Sequence, residues 1–194
     1  VTSSRGAAGL VVLEWVERPK PELVSSTGLL VRLKAAGVNP IDTKIRTRGT
    51  LIPDGLPAIL GCDGAGIVEE TGADVTRFRP GDAVWFCHGG LGGPEGNYAE
   101  YRLVDEVWAQ PKPASLDFVQ AAAAPLVIIT AWEALFDRAA LTAGKRVLIH
   151  AGAGGVGHVA IQLARPAGAR VATTGSGRAK AALVDELGAW DARN

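Results

Sequence analysis

As far as about residue 112, the chain is a series of short apolar and β-branched runs, broken every few positions by Gly, Pro or Asp. The runs at 10–16, 29–35, 66–70 and 82–86 have the length and composition of strands, so this stretch reads as a compact β-rich domain. The texture then changes. Ser115 is placed to cap a helix with Asp117 in its first turn, and an alanine-rich run follows until Pro125 interrupts it. Over 127–140, Trp132, Leu135 and Phe136 fall three or four positions apart, which predicts a second helix. Next come an apolar run at 146–150, a glycine-rich stretch, and helical spacing in Val156, Val159, Ala160, Leu163 and Ala164. A second apolar run at 170–174 and a helix over 178–187 complete the pattern. It predicts an α/β chain in two parts, a β-rich domain over residues 1–114 and an α/β domain over 115–194. Strand, loop, helix and strand in that order open a doubly wound nucleotide-binding sheet, which has about six strands when whole. The pattern identifies two of them, so the second domain reads as the N-terminal half of such a sheet.

The glycine-rich stretch carries the most specific chemistry. Gly152, Gly154 and Gly157 satisfy the G-x-G-x-x-G spacing, with Ala153, Gly155 and Val156 between them. Each glycine has an assigned task in a dinucleotide site. Gly152 allows the tight turn, Gly154 lets backbone approach a pyrophosphate, and Gly157 lets the helix pack on the strand. An NAD-selective site also needs an acid at the end of the second strand to hold the ribose 2′-hydroxyl. None is there: Thr173, Thr174, Gly175, Ser176, Gly177, Arg178, Ala179 and Lys180 follow one another, and the first acid is Asp185. Hydroxyls at Thr174 and Ser176 with cations at Arg178 and Lys180 suit a 2′-phosphate, which favours NADPH. The alternative for the two cations is a solvated start to a surface helix.

Composition narrows the classes of partner. Twenty basic and twenty acidic side chains give a formal charge of zero, which offers nothing to nucleic acid or an anionic membrane through bulk electrostatics. The longest apolar stretch, 121–132, contains Pro125 and is short of the ~20 residues of a membrane helix. VTSSRGAAG at the amino terminus has no secretory pattern, and Cys62 and Cys87 are too few for a disulfide framework. The expectation is a cytoplasmic protein. The absence of methionine, even at position 1, suggests a piece of a longer product.

Six segments in order point to one family: AAGVNPIDTKIR at 35–46, ILGCDGAGIVEETG at 59–72, FRPGDAVW at 78–85, GNYAEY at 96–101, ITAWEAL at 129–135 and AGAGGVG at 151–157. Together they resemble the medium-chain dehydrogenase/reductase superfamily, in its zinc-free quinone oxidoreductase (zeta-crystallin-like) branch. The resemblance implies a GroES-like β-barrel catalytic domain followed by a Rossmann domain, incomplete here, with cofactor and substrate in a cleft. It implies that Asn39 and Asp42 lie near that cleft, Asn39 as a hydrogen-bond donor and Asp42 as an organiser of its neighbours. Turn capping is the alternative for Asp42. Thr130 matches a threonine that approaches the nicotinamide, and Lys44 stands where some relatives carry a tyrosine.

Zinc members of the superfamily carry a cysteine where this chain has Asn39, and Gly-His-Glu where it has Gly61, Cys62 and Asp63. No bound metal is therefore expected, although Cys87 and His88 form a tempting pair. The implied activity is NADPH-dependent hydride transfer to a quinone or an α,β-unsaturated carbonyl, with a homodimer in the full-length form. A noncatalytic nucleotide-binding or crystallin-like structural role is the rival, as is a zinc-independent alcohol or aldehyde dehydrogenase. His150 and His158 border the glycine loop and read as structural residues. Trp85, Trp108 and Trp132 are candidates for an aromatic pocket, with core packing the default for each.

Overall fold

A computed structural model describes residues 2–5, 11–52, 55–189 and 191–193, with side chains over 13–52 and 55–189. The chain divides into two compact units, Val1–Leu126 and Val127–Asn194. The first holds strands β1 (Thr2–Arg5), β2 (Val11–Glu14), β3 (Gly28–Ala36), β4 (Ala58–Ile59), β5 (Asp63–Thr71), β6 (Ala83–Cys87), β7 (Tyr101–Asp105) and β8 (Gln110–Pro111). They form two antiparallel sheets, in the orders β2-β1-β4 and β7-β3-β5-β6-β8. Leu10, included in the first expected strand, lies outside the described residues. Burial alternates along β6 and β7, as a strand with one face on the core requires. Leu29, Val31, Val68, Phe78, Val84, Phe86, Val104 and Ala109 meet in that core. Each large side chain among them contributes about 1.5–3 kcal/mol on burial.

Helix α1 (Pro40–Arg48) has no strong apolar periodicity, and only its end signals mark it. Pro40 opens it, Asp42 lies in the first turn, Arg46 and Arg48 in the last, and Gly49 ends it at φ +94°. Helix α2 (Phe118–Ala122) packs on β3, β5 and β6, with Ala121 and Ala122 against Ala65. Its cap is Asp117 rather than the expected Ser115. Asp117 Oδ1 accepts from Gln120 N at 2.8 Å while Gln120 Oε1 accepts from Asp117 N at 3.1 Å, a reciprocal pair that satisfies two end donors.

The second unit carries the parallel strands β9 (Arg146–Ile149), β10 (Arg170–Thr174) and β11 (Asp191–Arg193), in the order β11-β10-β9. The third strand corrects the expectation of two. Asp-Ala-Arg has no apolar run to announce a strand, and its place comes from pairing with β10. Helix α3 (Pro125–Trp132) starts at the proline that the sequence pattern treats as an interruption, since proline at a first helical position loses no hydrogen bond. From Glu133 to Arg138 the backbone widens to a π-helix, with Ala139 N bonded to Ala134 O at 3.1 Å, so 127–140 is not one regular helix. Helices α4 (Gly155–Ala164) and α5 (Arg178–Glu186) follow β9 and β10. Leu135, Ile149, Ala160, Ile161, Ala164, Val171 and Val184 form the core. Among the described residues, no helix is long and apolar enough to cross a membrane.

Candidate active site

In the first unit, Asn39 precedes a proline and is therefore held extended, at φ −118° and ψ 155°. That geometry points its backbone N–H at Asp42 Oδ2, 2.8 Å away, while Asp42 N donates to Asn39 O at 3.0 Å. Asp42 thus caps the helix it begins. The same Oδ2 accepts from the Tyr98 hydroxyl at 2.9 Å, and Oδ1 is buried with no hydrogen-bond partner. Asn39 Nδ2 donates to Asp63 Oδ2 at 2.9 Å, and Leu126 N donates to Asp63 Oδ1 at the same distance. Asn39, Asp42 and Asp63 are 6%, 4% and 0% exposed. Asp63, which drew notice in the sequence only as a metal-ligand position, therefore fixes both the Asn39 amide and the first turn of α3.

Burial dominates the electrostatics of this cluster. Burial raises the Asp63 carboxyl above its ordinary value, opposed by the donors Asn39, Cys87 and Leu126. Burial, followed by the charges of Asp42 and Asp63, pushes the Cys62 thiol up to about 12. Cys87 is raised further by burial and by Asp63, and Tyr98 by burial and by its bond to Asp42. Asn97 Nδ2 donates to Gly61 O and Cys62 O at 3.1 and 2.9 Å, closing the loop over the cluster. Beside it opens a cavity of about 950 Å³, lined by Trp15, Leu33, Ala35, Asn97, Tyr98 and Tyr101.

Cys87 and His88 do not converge. Cys87 ends β6 and meets Asp63, while His88, just past the strand, meets Arg102, whose Nη2 lies 3.1 Å from His88 Nδ1. The His88 ring stacks on Trp108 at a centroid distance of 5.1 Å, and burial and then the Arg102 charge lower its pKa. Among the described residues, no group of three or more His, Cys, Asp or Glu could hold a metal ion. Of the three tryptophans, Trp85 packs beside Ala65, Ala121 and Ala122. Trp108 and Trp132 are 54% and 51% exposed, so core packing does not account for them. Trp132 instead leans on Phe136 with ring centroids 4.6 Å apart.

In the second unit the glycine loop joins β9 to α4. Its left-handed residue is Ala151 at φ +53°, not Gly152. Gly152 is required for a different reason: a Cβ there would lie 2.1 Å from Thr173 Oγ1. At Gly157 a Cβ would lie 2.2 Å from Ala151 O, so this glycine lets α4 close on the turn that follows β9. Gly154 is the N-cap and tight, with Ala151 O at 3.1 Å from a Cβ, whereas at Gly155 the nearest atom is Val127 Cγ1 at 3.8 Å. Ala153 lies in the loop ahead of α4, and Val156 in the first turn of that helix.

At the end of β10, Gly152 N donates to Thr174 O at 3.0 Å and Ala151 N to Thr174 Oγ1 at 3.0 Å. Thr173 Oγ1 donates to Ile149 O at 2.6 Å, tying the two strand ends together. Ser176, Arg178 and Lys180 are all exposed, and the two cations make no ion pair among the described residues. Thr130 is exposed on α3. The fold thus joins Asn39 to Asp42 in one unit and the glycine loop to Thr174 in the other. Asp63, Asn97 and Tyr98 were not picked out by sequence reasoning as site-building residues; GNYAEY had shown the last two only as part of a family motif.

This arrangement is matched in known proteins. The alcohol dehydrogenase GroES-like domain matches residues 25–114. A quinone oxidoreductase of Rattus norvegicus is 38% identical over 176 residues, 91% of this chain and 51% of the relative. A zinc-type alcohol dehydrogenase-like protein of Staphylococcus epidermidis is 40% identical over 76% of this chain and 44% of the relative. The crystal structure of Escherichia coli quinone oxidoreductase complexed with NADPH has a TM-score of 0.78 and 31% identity, covering 100% of this chain and 57% of that one. The chain spans about half the length of the curated relatives it matches. It belongs to the medium-chain dehydrogenase/reductase superfamily, with a GroES-like domain followed by an incomplete Rossmann part. Within that superfamily it falls in the quinone oxidoreductase branch.

Proposed function

We propose that the protein is part of an NADPH-dependent reductase of quinones or α,β-unsaturated carbonyls that works without zinc. The observation that carries this reading is the corner at the end of β10. An NAD site places a carboxylate there, whereas this chain places Thr174, Ser176, Arg178 and Lys180. Helix α5 has no acid in its first turn and opens on Arg178 and Lys180, against the preference of a helix start for negative charge. A 2′-phosphate removes that conflict. The loop of Gly152, Ala153, Gly154, Gly155, Val156 and Gly157 suits a pyrophosphate, because it runs into the N-terminus of α4 at Gly154, where no side chain caps the helix and the first N–H groups lack intrahelical partners. The cofactor of the E. coli relative supports the same choice.

When bound, the nicotinamide supplies hydride. This chain's residues hold and orient. Asp63 fixes the Asn39 amide, Asp42 fixes the start of α1 and the Tyr98 hydroxyl, and Thr130 is the residue whose family match places it near the nicotinamide. Zinc independence is supported by the donor set. The Asn39 amide is spent on Asp63, both thiols are held protonated, and Cys87 and His88 face different partners. Residues 1–114 form the catalytic domain and 115–194 the first half of the nucleotide domain, in a cytoplasmic homodimer when full length. Thermal unfolding with NADPH and with NADH tests the cofactor. A larger rise in Tm with NADPH is expected, and equal rises remove the 2′-phosphate argument. Saturable NADPH oxidation by quinones then separates an enzyme from a structural protein.

A further inference from the structure

We infer that His150 is a ligand of the cofactor's 2′-phosphate and that Thr174 positions it. The inference rests on the NADPH reading above and adds a residue that the glycine loop and the basic helix start do not include. Strands β9 and β10 pair up to Ile149 and Thr173, so His150 and Thr174 stand side by side one residue further on, on one face. His150 Nδ1 lies 3.3 Å from Thr174 Oγ1.

A hydroxyl has one proton to give and two lone pairs. Thr174 Oγ1 accepts from Ala151 N with one lone pair, and in the inferred arrangement it gives its proton to His150 Nδ1 rather than accepting a second bond from that nitrogen. The imidazole proton then sits on Nε2. His150 is exposed, and Nε2 has no partner among the described residues. Thr174 occupies the place of the missing acid, but its hydroxyl is engaged on both sides; the outward donor at that place is His150. The ionisable groups that share its face of the two strands are Arg146 and Arg170, both cationic. Neither of these two strands places a carboxylate on that face; the acid that shares its register is Asp191 of the neighbouring β11, opposite Ala172 and two positions short of Thr174. The ligand this chemistry selects is a phosphomonoester on a ribose, read by the imidazole N–H together with Arg178 and Lys180.

Calorimetric titration of the protein with NADPH and with NADH tests this. His150→Ala is expected to weaken NADPH about 5- to 10-fold, the loss of one hydrogen bond to a charged group, and to leave NADH within about 2-fold. Thr174→Val, which frees the imidazole to rotate, is expected to act in the same direction by about 2- to 3-fold. Should the alanine variant not fold, His150→Gln is read by the same ratio, with a smaller selective loss. Equal weakening of both nucleotides by these variants would reduce His150 to a structural residue and overturn the inference. A wild-type protein that binds the two nucleotides equally would instead overturn the NADPH reading itself.

Discussion

The two polar centres of this chain are built in opposite ways. In the first unit, Asn39, Asp42, Asp63 and Asn97 are buried side chains that bond chiefly to one another and to nearby backbone. In the second, the glycine loop presents backbone, and its flanking Ser176, Arg178 and Lys180 are open to solvent. Unpartnered buried donors are expensive, so the first centre is a matter of stability before it is one of chemistry. The second holds the spare bonding capacity that a ligand needs. Substitutions should therefore act on folding in the first unit and on nucleotide affinity in the second.

The strongest test of that division is Asp63→Ala. It strands the Asn39 amide and the Leu126 N–H in a buried place, and urea unfolding should show a loss of about 4 kcal/mol. A loss below about 1 kcal/mol would mean that the cluster does not hold the unit together. Gly157→Ala comes next. With a Cβ 2.2 Å from Ala151 O the loop must shift, at about 2 kcal/mol, and NADPH affinity should fall at least about 10-fold in fluorescence titration. Tyr98→Phe removes one donor from the buried Asp42 and should cost about 1.5 kcal/mol, with little effect on nucleotide binding.

A pH titration of stability sharpens the comparison further. Burial and Arg102 hold His88 below the usual imidazole value, so the fold favours its neutral form. Stability is then full above the ordinary histidine range and declines as pH falls through it toward the lowered value. His88→Gln should flatten that part of the profile. The smallest effect belongs to Gly155→Ala, where the nearest atom is 3.8 Å away: within about 0.5 kcal/mol by thermal unfolding, because the added methyl makes an ordinary van der Waals contact with Val127 and alanine favours a helix. A large effect there would show that the loop reads its glycines by something other than room.

What the sequence disclosed follows the same division. The glycine loop was legible because its chemistry is local, a spacing within six residues next to an apolar run. The Asp63 centre joins residues 24 and 63 positions apart, and Tyr98 reaches Asp42 across 56, distances over which periodicity says nothing. Helix α1 was missed because an apolar face that begins and ends within nine residues leaves little pattern, even with both end signals present. Strand β11 was missed because its placement comes from a neighbour. The cap moved from Ser115 to Asp117 because both residue types cap well, and only the reach to Gln120 N decides between them.

Ala151 carries a side chain through a left-handed turn, at a cost of about 1 kcal/mol relative to glycine. Held there by Thr174, it commits the backbone to one shape before any nucleotide arrives. Ala151→Gly would relieve the protein and loosen the turn. The molecule would gain stability while its ligand took on the ordering entropy, which would show as slower association even though the same groups meet the nucleotide.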